Sequence, residues 1–204
     1  MADGKVVTGY SYPFVALYSA TQGVVTYTNG MPLARGVSVQ DGVESGDSQD
    51  FYANNVLSES AAGKFRGGEI TLTIDGLKKA ARQMIMGLPE TTPVVVGEQT
   101  YQVTEYDNRM NVPYVGVGMV IRYMEDGVTS YDAVVFNKGI FNIDPLNAAT
   151  ETEDIEFQTT DLTLKLLRDD TTNHGWRRLV EDIADENEAY TVVKALLGVE
   201  DEGA

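Results

Sequence analysis

The 204-residue sequence predicts a mainly β protein: an antiparallel β-sandwich with one flanking α-helix, a long loop over about 41–64, and arms at both termini. Three observations carry that expectation. Short runs rich in Val, Thr, Tyr and Ile are separated by Asn29-Gly30, Asp41-Gly42, Asp126-Gly127 and Lys138-Gly139. Such punctuated runs are a hairpin pattern, and the first three dipeptides tolerate the positive φ of a type I′ turn. Residues 69–75 alternate strictly, Ile70, Leu72 and Ile74 against Glu69, Thr71 and Thr73, as in a strand with one dry and one wet face. Only the stretch near 77–87 has sustained helical spacing.

In chain order, residues 1–12 read as an N-terminal arm and 13–172 as the main domain. Segments 14–19, 24–28 and 33–40 are the opening strands. Residues 41–64 are polar and rich in small residues, with neither helical nor strand period. A loop that long is usually functional or disordered. Its Phe51, Tyr52, Val56 and Leu57 are apolar beyond the needs of a solvated loop, so it reads as an arm that becomes ordered against another subunit. Leu77, Ala80, Ala81, Met84, Ile85 and Leu88 form the stripe of the helix, with Asp75 as its N-cap and Gly87 and Pro89 as its stop. Lys78, Lys79 and Arg82 take the wet face. Residues 114–124 and 131–136 are more uniformly apolar and read as inner strands. A second alternating stretch covers 154–167, with Ile155, Phe157, Leu162, Leu164 and Leu166 buried. The C-terminal extension, 173–204, has a helix at about 186–197 behind Asp185 and Glu188, an approximate capping box.

Charge narrows the function classes. There are 31 acidic and 15 basic residues, a net of −16, and residues 151–204 alone hold 15 acids and 5 bases. Nucleic-acid affinity rests mainly on Lys and Arg neutralising phosphates, so a DNA-binding role is excluded, whereas a surface past which DNA slides is not. Cysteine is absent, which removes disulfides, thiolate catalysis and Cys-based zinc sites. The N-terminus resembles no signal peptide, and no run of about 18 apolar residues could span a bilayer. The expectation is a protein made in cytosol, without a membrane role.

The search for chemistry returns little. His174 is the only histidine, no Gly-x-Ser-x-Gly elbow accompanies it, and Asn173-His174-Gly175-Trp176 reads as a turn seating its indole on the body. Gly116-x-Gly118 lies within a strand, and Gly63-Lys64 is followed by Phe65 where a P-loop needs Ser or Thr. Asp41, Glu44, Asp47 and Asp50 could offer oxygens to calcium, but their spacing matches no EF-hand. Neither a cofactor nor a metal is implied, and the chain reads as an assembly protein rather than an enzyme.

Four segments carry a resemblance: YPFVALYSATQGVVTYTNGMPLARGVSV, FYANNVLSESAAGKFRGGEITLTIDGLKKAARQMIMGLPE, NVPYVGVGMVIRYMEDGVTSYDAVVFNKGIFN and AATETEDIEFQTTDLTLKLLRDD. In this order they resemble the major tail protein family of phages with long, non-contractile tails, notably those infecting Gram-positive bacteria. The match is poorest around 94–108 and beyond Asn173. The resemblance implies a β-sandwich or partial barrel with a flanking helix, similar to the tube proteins of contractile injection systems. It implies sixfold rings that stack into a tail tube around a tape-measure protein, capped by terminator and distal tail or baseplate proteins, assembled in the host cytoplasm. DNA passes through the bore without specific binding.

On that reading Asp41, Glu44, Asp47, Asp50, Phe51, Tyr52, Val56 and Leu57 belong to an inter-ring stacking loop. Glu69, Thr71, Thr73, Glu156 and Gln158 are the candidate lumen face, and the strand at 70–74 is expected to join subunits edge to edge. A tail terminator, a decoration or adhesion module, and a carbohydrate-binding sandwich are the competing readings. The last is weakened by the single Trp176 and scattered tyrosines.

Overall fold

The structure, a computed structural model, describes residues 4–146, 148–150 and 157–199. Its elements are β1 (Val6–Thr21), β2 (Val24–Pro32), β3 (Gly36–Ser45), β4 (Gln49–Ala53), β5 (Val56–Ala61), β6 (Phe65–Ile74), α1 (Lys79–Ile85), β7 (Thr92–Val96), β8 (Gln99–Val103), β9 (Val115–Glu125), β10 (Val128–Phe141), β11 (Thr160–Leu167), β12 (Arg177–Ile183) and α2 (Glu186–Leu196). One large antiparallel sheet runs in the order β2-β1-β9-β10-β11-β6-β3, and β12 also pairs with β10. The protein is mainly β, as its sequence predicts.

Strand β10 is where the sheet divides. Its residues Tyr131–Phe136 pair with β12, and Lys138–Phe141 pair with β11. The register shifts between Phe136 and Gly139, and a Cβ on Gly139 would lie 2.8 Å from the Leu164 side chain. A bulge at this point bends the strand, so β11, β6 and β3 turn over the face of β1, β9 and β10. The sheet curls until Gly36 of β3 sits against the Tyr10 ring of β1, and Arg177 of β12 pairs with Asp41 of β3 at 3.3 Å.

The larger core lies inside this curl. Val15, Val117, Met119, Phe136 and Phe141 from one side meet Ile70, Leu72, Ile74, Leu162, Leu164 and Leu166 from the other, with Ala81, Ile85 and Met86 of the α1 region closing one end. A second core lies on the opposite face of β1, β9 and β10, where Phe14, Ala16, Val120, Ala133 and Val135 are covered by Ala189, Val193 and Leu197 of the α2 region. Strands buried on both faces lose their alternation, which is why residues 115–120 of β9 and 133–136 of β10 are apolar throughout. Gly116 and Gly118 let α2 approach: a Cβ on Gly118 would stand 2.5 Å from Val193.

Several expectations need correction. The C-terminal extension is not peripheral, since β12 joins the main sheet and α2 covers the second core. There are therefore two flanking helices among the described residues, not one. The N-terminal arm is drawn into β1 from Val6 onward. Asp75 does not cap α1: Lys78 stands at the N-cap without a side-chain bond, and Asp75 instead accepts from the Arg35 backbone N–H (2.9 Å) and guanidinium (2.5 Å). Within the helix Ala80 faces solvent, while Ala81 and Ile85 are buried.

Three of the four turn dipeptides lie inside strands. Asp41-Gly42 pairs with Ile70 and Glu69 in mid-strand, Asn29-Gly30 occupies a register shift of β2, and Lys138-Gly139 sits at the bend of β10. Only Asp126-Gly127 turns a hairpin, with φ of 48° and 80°. Long curved strands use such residues for bulges and close backbone approach rather than for reversal.

Candidate assembly surfaces

The outer face of β3, β6 and β11 is a continuous polar surface. Because the dry faces of β6 and β11 hold Ile70, Leu72, Ile74, Leu162, Leu164 and Leu166, every alternate residue must face outward. The register aligns these residues in rows across the strands: Ser38, Thr73 and Asp161; then Gln40, Thr71 and Thr163; then Gly42, Glu69 and Lys165. Thr73 Oγ1 donates to Asp161 Oδ1 at 2.7 Å. Glu69, Thr71 and Thr73 thus share one face as expected.

Of the other two expected lumen residues, Gln158 does not join them. Glu156 lies outside the described residues, as does Ile155. Gln158 precedes β11, and its Oε1 accepts from the Ala149 backbone N–H at 3.1 Å. Phe157, expected in the core, is 96% exposed. Strand β11 starts only at Thr160, so the alternation that governs burial does not extend back to it. Asp161, Thr163 and Lys165 are the wet partners that the sequence reading missed, although they alternate with Leu162, Leu164 and Leu166.

Strand β6 is also not a free edge. It is hydrogen-bonded to β11 on one side and β3 on the other, so the expectation that 70–74 joins subunits is overturned. The path ends at β2 and β3. Val37 and Val43 are exposed along β3.

The long loop is a hairpin. Strands β4 and β5 pair with each other, turning at Asn54-Asn55 with φ of 51° and 64°, the left-handed values Asn tolerates best after Gly. Among the described residues they pair with no other strand. Phe51, Tyr52, Val56 and Leu57 are all exposed. Asp41 and Glu44 belong to β3 instead, Asp47 lies between β3 and β4, and Asp50 accepts from Ser60 Oγ at 2.6 Å. These four acids are strung along a strand and a hairpin, and Asp41 is committed to Arg177. Among the described residues, no three His, Asp or Glu side chains are grouped to hold a metal ion.

A second hairpin, β7 and β8, has no counterpart in the sequence expectations. It turns at Gly97-Glu98, Gly97 having φ 63°, and all ten strand residues are exposed. Cross-strand register puts Val94 beside Tyr101 and Thr92 beside Val103. The run TPVVVGEQTYQV carries the signal for it: two β-rich runs around a Gly-containing pair.

The polar interior is structural. Asn137, 5% exposed, donates to Asp169 at 2.8 Å and accepts from Arg178 Nε at 2.9 Å, while Arg178 also donates to the Leu196 carbonyl. This network ties β10, β12 and α2 together. Lys5 bridges Asp132 and Asp182, both at 2.8 Å. Burial alone would lower the Lys5 pKa, but the two carboxylates together raise it above its ordinary value. The Lys138 ammonium beside Asp170, with the Tyr18 hydroxyl, holds that carboxyl below its usual range.

His174 sits in a turn at φ 50°, its Nδ1 3.3 Å from the Asp169 carbonyl, and Trp176 stacks on Phe65 with centroids 4.7 Å apart. The open groove beside it is lined by Lys64, Phe65, Arg168 and Asn173. That set contains no carboxylate, hydroxyl or thiol that a histidine base could activate. Where the two halves of the curl part, a cavity of about 270 Å³ is walled by Val39, Met119, Ile121, Val134 and Phe136, with Asp41 and Arg177 also lining it. Among the described residues no helix is long and apolar enough to cross a membrane. The chain matches no protein-family model and no curated protein sequence.

Proposed function

We propose that this chain is a self-assembling tube protein, the tail-tube subunit of a long-tailed phage, whose rings stack into a conduit for DNA. The observation that carries this reading is the two-sided curl: a polar face of Ser38, Gln40, Thr71, Thr73, Asp161 and Thr163 backed by a closed apolar core. Such a face, repeated around a ring, makes a bore that offers passing DNA mainly hydroxyls, with the Asp161 carboxylate among them and Glu69 beside Lys165 at one end. Like charge keeps the duplex from adhering, because screening acts over only about 8 Å at physiological salt.

The unpaired edge of β3 supports the same reading. An exposed edge with Val37 and Val43 on it is a template for another chain. Pairing it to an edge of the next copy is a heterologous contact, which closes into a ring when the rotation permits. The tape-measure protein occupies the lumen during assembly, and terminator and baseplate proteins bound the two ends.

Negative-stain electron microscopy of the purified protein, concentrated stepwise, tests the proposal. Hollow sixfold rings growing into tubes are expected. Single rings that never stack would point to a terminator instead. A strict monomer at every concentration, even when co-expressed with tape-measure and baseplate proteins, would overturn the tube reading.

A further inference from the structure

The two ends of the β3–β6–β11 layer differ in charge. At one end the β4–β5 hairpin departs. Residues 46–63 contain Asp47, Asp50 and Glu59 and not one base. Every residue of both hairpin strands is exposed, Phe51 at 61%, Tyr52 at 62% and Val56 at 65%. A lone two-stranded hairpin is at best marginally stable in water, so these side chains call for cover that the chain itself does not supply.

At the other end, one length of β6 away (roughly 33 Å for ten strand residues), stands α1. Residues 77–88 contain Lys78, Lys79 and Arg82 and not one acid. Arg82 is committed to Asp144 at 2.8 Å, and the other carboxylate oxygen accepts from the Tyr106 hydroxyl at 3.2 Å. That clamp fixes Tyr106 and the neighbouring Ile143 beside α1, both exposed. Lys78 and Lys79 are exposed and form no ion pair among the described residues, although most surface charge in this chain is negative. The α1 surface therefore presents what the hairpin lacks: free cations beside exposed apolar side chains.

We propose that the β4–β5 hairpin of one copy docks on the α1 surface of the next copy along the stack. Asp47, Asp50 and Glu59 meet Lys78 and Lys79, and the hairpin's apolar side chains cover Tyr106 and Ile143. Donor and acceptor are different surfaces at opposite ends, so the contact is head-to-tail and propagates without closing, which is what a filament requires. Two other cations without an ion pair among the described residues fit less well: Arg66 and Lys165 lie at the hairpin's own end and share their groove with Glu44 and Glu69. The inference rests on the tube reading and names the acceptor that reading leaves open.

Charge reversal in the full-length protein tests it. Lys78→Glu with Lys79→Glu, and separately Asp47→Lys with Asp50→Lys, should leave the thermal melt and the mass of the ring unchanged. Each should raise the protein concentration needed for tube growth roughly tenfold or more, since opposed like charges penalise an interface strongly. Combining all four substitutions restores the opposite-charge pairing and should restore tubes. Tubes that grow normally from either reversed pair, or a fourfold variant no better than its parents, would overturn the docking while wild-type tubes keep the tube reading intact. Wild-type protein that forms neither rings nor tubes would overturn both.

Discussion

Strand β6 and the hairpin that precedes it are near neighbours in sequence, yet they are held by different physics. In β6 Ile70, Leu72 and Ile74 are fully buried in alternation, and both edges are hydrogen-bonded to other strands. In β4 and β5 no side chain is buried, and among the described residues the strands pair only with each other. Both have the β-branched and aromatic residues that favour strands. The difference is what each side chain meets. Strand β6 is explained by contacts within its own chain, whereas no burial among the described residues accounts for the hairpin's apolar side chains. The β7–β8 hairpin repeats the contrast on the far side of α1, with Val94, Val95, Val96 and Tyr101 exposed.

The strongest way to break the comparison is through the buried side. Leu164 is fully buried in the larger core, opposite Ile70 in register and against Gly139. Leu164→Ala removes those contacts and leaves a cavity, and the expected cost is about 2–5 kcal/mol. Urea unfolding of the unassembled protein should show it as a lower midpoint with an unchanged slope. A loss under about 1 kcal/mol would mean that the two halves of the curl are not packed as described.

A smaller effect is expected where one end of a buried element is secured from the surface. Asp185 accepts from the backbone N–H of Asn187 and Glu188, capping α2, and α2 covers the second core. Asp185→Ala should cost about 1 kcal/mol. For a chain of this size that lowers the melting temperature by about 2–4 °C. An unchanged melt would mean that α2 is fastened by packing alone.

These elements also mark how far the sequence could be read. The alternation of β6 and the apolar runs of β9 and β10 were legible because burial imposes its period on the residues that supply it, and the cap of α2 because Asp185 stands at its start. The β4–β5 hairpin was not, because no burial among the described residues imposes a period on it, and β7–β8 carried only a local turn signal. The polar face was half legible. Glu69, Thr71 and Thr73 follow from β6, but placing Gln158 beside them assumed that the following strand started before Thr160. Nor could the sequence show that Asp41-Gly42 pairs within a strand, since the same two residues serve a turn or a curved strand equally well. Strand order was illegible throughout: that β3 lies outside β6, leaving β3 as the edge, depends on contacts between residues far apart in the chain.

The smallest effect on the isolated chain is the one that sharpens the comparison most. Tyr52→Ala removes one of the largest exposed side chains of the β4–β5 hairpin, where it faces Leu57 across the strand pair. Exposed positions outside any cap, core or buried network usually change stability by no more than about 0.5 kcal/mol. The unassembled variant should therefore unfold with the wild type in urea. In the assembled protein the same ring would be covered, and truncating a buried interface aromatic commonly costs more than about 1 kcal/mol. A variant that folds normally but assembles only at several-fold higher concentration would show that the hairpin's apolar residues serve association and not folding. A variant that loses stability as a monomer would show instead that the hairpin already packs on its own body, and the contrast with β6 would disappear.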